Sequence, residues 1–326
     1  MVAIGRNEGP RLARCLTSLA GQGAPVIYVD SGSTDDSVEL ARRLGAELLA
    51  LDPARPFTAA RARNEGFERA MRLDPPPELV QFVDGDCEVA PGWLTRAAGE
   101  LEATPGLAAV AGRVREVEPE RSIYNRLCDL GWRQDLPGEV DYVGGNAMVR
   151  ARAFAEAGGF SAELIAGEEP ELCLRLRRKG WRIRLLDDDM VFHDAAMLHL
   201  GQWWRRTQRT GWAYAEGAAL HGSGPERYWV KKALSVVFWG LAVPLTAGLL
   251  AWPTRGASLL LLLGYPVLGW RVFRSARRRG TPPDQARLLA AFTVLGKLAQ
   301  AAGQLQYLAT RLRRRRRRVV DWRGGP

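Results

Sequence analysis

Asp84 and Asp86, in Asp84-Gly85-Asp86, follow the apolar run Leu79-Val80-Gln81-Phe82-Val83 and stand where a strand would stop. Carboxylates at that spacing can share one divalent cation. They offer hard oxygens to Mg²⁺ or Mn²⁺, and an octahedral ion keeps positions open for phosphate oxygens. The chemistry this suits is the handling of a metal-bound diphosphate. The same three letters also make ordinary turns, so the reading depends on what surrounds them. A second acidic group, Glu168-Glu169-Pro170-Glu171, heads a segment that continues through Leu176. A carboxylate within hydrogen-bond reach of a hydroxyl can serve as a general base. The same acids would equally complement the start of a helix.

The elements that must position these groups alternate. A short strand from Val2 ends in the polar loop Arg6-Asn7-Glu8, and Leu12, Cys15, Leu16 and Leu19 follow at helical spacing. The apolar run Val26-Ile27-Tyr28-Val29 ends at Asp30, and the loop Ser31 to Ser37 leads into a helix carrying Val38, Leu40, Ala41 and Leu44. Strand and helix recur through Ala46–Ala50, the helix around Ala60 to Met71, and the strand before Asp84. Such alternation predicts an α/β fold with a mostly parallel sheet and ligands outside the carboxyl ends of its strands. Asp30, Asp84 and Asp86 then share one rim. Neither a Gly-x-Gly-x-x-Gly nor a Gly-x-x-x-x-Gly-Lys loop is present, so a metal has to do what those phosphate cradles do elsewhere.

The formal net charge of +10 is unevenly placed. From Arg271 to Pro326 there are fifteen Lys/Arg against two acids, which leaves the first 270 residues slightly acidic. The basic charge is a property of the tail and not a nucleic-acid signal from the active domain. Cys15, Cys87, Cys128 and Cys173 form no Cys-x-x-Cys pair, which argues against zinc and for reduced, buried thiols.

These motifs, in this order, resemble the GT-A fold glycosyltransferases, specifically the large inverting family 2, from Val2 to about residue 222. The matching elements are Arg6-Asn7-Glu8, Val29-Asp30-Ser31-Gly32-Ser33-Thr34-Asp35, Ala60-Arg61-Ala62-Arg63-Asn64-Glu65-Gly66 and Asp84-Gly85-Asp86. Gly144-Gly145-Asn146-Ala147-Met148, Gly158-Gly159-Phe160 and Gly167-Glu168-Glu169 follow downstream. The resemblance implies a Rossmann-like sheet with flanking helices. It also implies a nucleotide-sugar pocket that includes Arg6, Asn7, Glu8, Asp30, Ser31, Arg63 and Asp84. A divalent cation, Mn²⁺ or Mg²⁺, would sit on Asp86 with Asp84, and His193 would occupy the place of a third ligand. Glu169, with Glu168 beside it, would be the base for an inverting displacement; the family most often has Glu-Asp here. Gln202 and Arg205, in Gln202-Trp203-Trp204-Arg205-Arg206, partly match the Gln-x-x-Arg-Trp element of processive synthases and would contact the acceptor or the diphosphate. The same stretch also reads as an amphipathic interfacial helix with Trp203, Trp204 and Trp212 at a bilayer surface.

Residues 1–225 thus form the expected transferase domain, with a nucleotide-sugar half (1–110) and an acceptor half (111–225), and 226–326 an anchoring region. Ala233 to Trp252 contains no charged residue and is long enough for one crossing. A shorter apolar stretch, about 256–273, would return across the bilayer. Positive residues at Lys231, Lys232 and from Arg271 onward would then place the catalytic domain at the cytoplasmic face. No signal peptide is expected at the start. Helical spacing from about 285 to 312 suggests an interfacial helix, and the arginines Arg313–Arg318 suggest anionic lipid rather than nucleic acid. The expected activity is transfer of a sugar from a nucleoside diphosphate to a lipid or envelope glycan. The alternatives are a sugar-nucleotide nucleotidyltransferase and a catalytically silent membrane scaffold.

Overall fold

Residues 1–133 and 136–313 are described in the computed structural model of the chain. They form two compact units, Met1–Leu164 with Glu168–Ala196, and Ile165–Gly167 with Met197–Pro326. The first unit begins with the expected alternation: β1 (Val2–Gly5), α1 (Pro10–Leu19), β2 (Ile27–Asp30), α2 (Ser37–Arg43), β3 (Glu47–Ala50), α3 (Ala59–Ala70) and β4 (Leu79–Asp84). Amphipathic spacing makes α1, whose Leu12, Cys15, Leu16 and Leu19 are all buried. Each of those leucines contributes roughly 1.5–3 kcal/mol by leaving water. The hydroxyl of Thr58 caps α3 by accepting the N–H of Arg61 at 3.0 Å.

The unit continues with β5 (Cys87–Val89), α4 (Trp93–Ala103), β6 (Leu107–Glu116), α5 (Ile123–Trp132), β7 (Gly138–Glu139), β8 (Ala147–Arg150), α6 (Ala151–Glu156), α7 (Glu168–Arg178) and β9 (Arg182–His193). Among the described residues the strands make one sheet, ordered β3-β2-β1-β4-β8-β6-β9-β5, with β7 added on β9. β1 to β4 run parallel, and β8 opposes both β4 and β6. β9 lies parallel to β6 and antiparallel to β5. Gly5 pairs with Asp30, and Ile4 with Asp84, so both carboxylates end up on the same rim beside β1.

The second unit holds α8 (Leu200–His221), α9 (Val230–Val237), a π-helical turn Phe238–Ala242, α10 (Val243–Leu249), a 3₁₀ run Ala257–Leu263, α11 (Gly264–Arg278) and α12 (Pro283–Leu312). Two of its helices are long and apolar enough to cross a membrane, Val230–Leu249 and Pro283–Leu312. This differs from the sequence expectation in two places. The stretch 256–273 is divided between the 3₁₀ run and α11, which carries Arg271, Arg274, Arg277 and Arg278. On α12, two of the polar residues that suggested an interfacial face turn inward, while Gln306 stays exposed. Lys297 donates to Ser235 Oγ at 3.2 Å, and Gln304 donates to the carbonyl of Ala233 at 3.3 Å. Trp203 and Trp212 are buried inside the unit, packed edge-on against Phe292 and Tyr307, so neither is a bilayer-facing anchor. α8 and α12 meet almost backbone to backbone: a methyl group on Gly211 would lie 2.0 Å from the carbonyl oxygen of Gln300, and one on Gly303 1.9 Å from that of Gln208. The arginines from Arg314 to Arg318 lie outside the described residues.

Candidate active site

At the carboxyl ends of β1 and β2 the two loops lock together. Asn7 Oδ1 accepts the N–H of Thr34 at 2.7 Å, and the N–H of Asn7 donates to Ser33 Oγ at 2.9 Å. Asp30, almost fully buried, accepts the N–H groups of Gly32 and Ser33 at 2.9 Å each, the Ser33 hydroxyl, and the Tyr28 hydroxyl at 3.3 Å. Its carboxylate braces the loop that follows β2. Ser31 is tied to Gly5 through its backbone at 3.0 Å, Glu8 is buried and paired with Arg11 at 3.0 Å, and the exposed Arg6 lies over the Phe57 ring at 5.6 Å.

Arg63 is the centre of the next group. From sequence it could equally have been a surface residue of a charged helix; in the fold only 2% of it is exposed. Its guanidinium reaches Asp84 Oδ1 at 2.7 Å, Glu169 Oε1 at 3.2 Å and Glu168 Oε1 at 3.4 Å. Burial disfavours its charge, but the three carboxylates outweigh that and hold it protonated. The Phe160 ring lies 5.5 Å from it, and Asn64 on the same helix exchanges hydrogen bonds with the Phe160 backbone at 2.7 and 2.9 Å. Gly145 supplies the space: a methyl group there would come within 2.0 Å of Arg63 Nη2. Glu169 feels burial first and the charge of Glu168 second, and its pKa is pushed up to about 7 against the pull of Arg63. A carboxylate so placed can exchange a proton near neutrality.

On the other side of Asp84, Asn146 accepts the Asp84 N–H at 2.9 Å. Asp86 is buried, and its Oδ2 lies 3.2 Å from Nε2 of the buried His193. Adjacent ligands of an octahedral ion at about 2.1 Å lie about 3 Å apart, so this carboxylate–imidazole pair has the spacing to hold one divalent cation. Cys87 falls in the same cluster. Burial, then Asp86 and Asp84, keep its pKa well above the usual thiol range, and Sγ donates to Asp86 Oδ1 at 3.6 Å. It is a thiol beside the site, which leaves the hard oxygen and the imidazole as the donor set.

A sequence profile described as glycosyl transferase family 2 matches residues 4–158, and one described as glycosyl transferase family group 2 matches residues 120–275. The pre-mycofactocin glycosyltransferase of Mycobacterium tuberculosis is 32% identical over 97% of this chain and 67% of its own length. The chain belongs to glycosyltransferase family 2. Glycosyltransferase AglE of Haloferax volcanii is 24% identical, over 93% of each chain. The solved structure of a mannosyltransferase from Pyrobaculum calidifontis, in complex with GDP-Man and Mn²⁺, has the same GT-A fold. It superposes with a TM-score of 0.57 at 21% identity, covering 94% of this chain and 86% of that one.

The first unit of this glycosyltransferase thus brings together Arg63, Asp84, Glu168 and Glu169, and separately Asp86 with His193. Gln202 and Arg205 belong to the second unit. The side-chain oxygen of Gln202 accepts the N–H groups of Leu198 and His199 at 2.8 and 3.0 Å, so it caps α8. Three residues at the site had no assigned role from sequence: Asn146, Cys87 and Glu116. Glu116 closes on His193 across a strand pair, and a glutamate among the charged residues at the end of β6 gives no local signal of that.

Proposed function

We propose that this glycosyltransferase is membrane-attached and inverting, and that it moves a sugar from a nucleoside diphosphate to a hydroxyl of a lipid or envelope-glycan acceptor at the cytoplasmic face. The observation that carries the reading is Arg63, which ties Asp84, at the end of the diphosphate rim, to Glu169, whose proton affinity suits a base near neutral pH. The loops of Arg6, Asn7, Glu8 and Ser31, braced by Asp30, would hold the nucleoside. Asp86 and His193, with Asp84 adjacent, would hold Mn²⁺ or Mg²⁺, which when bound supplies neutralisation of the leaving diphosphate.

In the displacement, Glu169 takes the proton of the acceptor hydroxyl while the acceptor oxygen bonds to the anomeric carbon. The bond from that carbon to the diphosphate oxygen breaks, and the nucleoside diphosphate leaves with its electron pair. One base and one displacement invert the anomeric centre. Arg63 offsets part of the repulsion between Glu168 and Glu169 and keeps Asp84 oriented. Attachment to the membrane is supported by the two long apolar helices and by bare apolar side chains on the second unit, Trp252 (93% exposed) and Leu249 (76%) among them. The tail arginines suit anionic lipid.

The test is turnover of UDP-, GDP- and dTDP-sugars by the full chain in detergent, with and without Mn²⁺, alongside Asp86→Ala and Glu169→Gln. A single donor hydrolysed or transferred with metal, and lost in both variants, is the expected result. Product of retained anomeric configuration would overturn the single displacement, and undiminished turnover by Glu169→Gln would remove it as the base.

A further inference from the structure

His193 does not stand alone with Asp86. Its strand, β9, lies between β5 and β6, with Cys87 paired opposite His193 on one side and Glu116 on the other. Residues paired across neighbouring strands project to the same face of a sheet, so the topology sets Cys87, His193 and Glu116 in one row. The Glu116 side chain is fully buried. Asn125 on α5 donates to its Oε1 at 3.2 Å, and the Ala195 N–H lies 3.2 Å from both oxygens. The Glu116 N–H in turn donates to Asp129 Oδ1 at 3.3 Å. Glu116 Oε2 stands 3.6 Å from Nδ1 of His193, an ion-pair approach just outside hydrogen-bond distance, and Trp132, also on α5, packs edge-on against the imidazole with ring centres 4.7 Å apart. The two ring nitrogens of His193 thus look in opposite directions, Nε2 to Asp86 and Nδ1 to a carboxylate held by two neighbours, Asn125 and Ala195.

We propose that Glu116 is a positioning residue for the cation site, holding His193 as the Nδ1–H tautomer so that the Nε2 lone pair faces the ion beside Asp86. This rests on the reading of Asp86 and His193 as metal ligands. The physical reason is that an imidazole can ligate through one nitrogen only when the proton is on the other, and a buried carboxylate beside Nδ1 fixes both the tautomer and the ring orientation. Glu116 touches neither donor nor acceptor; it acts through His193. Asn125 and Ala195 hold the carboxylate where it can do so, which gives α5 a purpose in the site.

The experiment measures Mn²⁺ binding to the full chain in detergent, by the paramagnetic resonance of free Mn²⁺, for wild type, Glu116→Leu, His193→Ala, Asp86→Ala and the Glu116→Leu/His193→Ala double variant. Glu116→Leu is expected to weaken Mn²⁺ binding about 10–100-fold. The double variant is expected to bind no more weakly than His193→Ala alone, because the effect runs through the imidazole. A merely structural role would weaken both backgrounds alike, and that outcome overturns the proposal, as does wild-type affinity in Glu116→Leu. Metal-free thermal unfolding identifies variants that have lost the fold; Glu116→Met, similar in length but without an acceptor oxygen, then replaces Glu116→Leu in the same cycle and is judged by the same two outcomes. If His193→Ala and Asp86→Ala both bind Mn²⁺ as wild type does, the cation site itself is misassigned and the proposal falls with it. That result is distinguishable from failure of Glu116 alone.

Discussion

Replacing Gly145 with alanine adds one methyl group to the most crowded point of the site. That methyl would lie 2.0 Å from Nη2 and 2.7 Å from Cζ of Arg63, and 3.0 Å from Glu169 Oε1. Ordinary contact begins at 3.4 Å, so the guanidinium has to retreat by about 1.4 Å. An exposed arginine would do so at little cost, but this one is buried and held by Asp84 at 2.7 Å and by Glu169 at 3.2 Å. Moving it that far disrupts the present geometry of both contacts. Two consequences follow if Arg63 orders the site. A misplacement of about 1 Å costs on the order of 10²-fold in rate. Glu169 also loses part of the positive charge that opposes burial and Glu168, so its pKa climbs further above about 7. Losing a charge-assisted hydrogen bond is worth roughly 1.5–3 kcal/mol, which corresponds to a rise of about one to two pH units. Because the base must be ionised, the rate falls as pH falls through that pKa, and the acid limb of Gly145→Ala should lie above that of the wild type. Donor turnover across pH 5 to 9 is the assay, with metal-free unfolding as the control for folding. A folded Gly145→Ala variant with wild-type rate and an unmoved acid limb would refute the role given to Arg63.

For the wild type itself, donor turnover should rise with pH and level off above about 7, the value to which burial and Glu168 bring Glu169; a flat profile from pH 5 to 8 would count against a carboxylate base. Glu169→Gln should lower transfer about 10²–10⁴-fold while leaving donor binding near normal, measured by titration calorimetry. Asp86→Ala should abolish the Mn²⁺ dependence of donor binding and leave metal-free unfolding nearly unchanged. In the second unit, Gly303→Ala would press a methyl group into the carbonyl of Gln208; overpacking of this kind should destabilise the unit by roughly 1–3 kcal/mol in a thermal melt in detergent.

The rim was legible because its signals are local. Asp30 and Asp84 each follow an apolar run, and the parallel register of β2, β1 and β4 carries them to one edge without further information. Arg63 was only half legible. Its helix is rich in charge, and its burial depends on Asp84, Glu168 and Glu169 arriving from 21, 105 and 106 residues away. Glu116 was silent for the same reason, since its relation to His193 exists only in the pairing of β6 with β9. Gln202 matched a synthase element by type, yet its oxygen caps α8, because the first turn of a helix leaves N–H groups that a nearby side chain will satisfy. In the apolar region, composition alone could not tell an inward polar stripe from an outward one. Lys297 and Gln304 find partners on α9, while Leu298, Leu305 and Leu308 stay exposed.

The near-contact of α8 and α12 backbones bears on where this polypeptide can be cut. A change in composition near residue 230 invites removal of everything beyond it to obtain a water-soluble enzyme. Yet Gly211 and Gln208 on α8 are covered by Gln300 and Gly303 of α12, and Trp203 and Trp212 by Phe292 and Tyr307. A chain ending before α9 would open a groove of bare peptide and indole along α8. Such a joint relies on close van der Waals fit more than on exclusion of water, so it should survive in detergent and in lipid alike, but not without its second half.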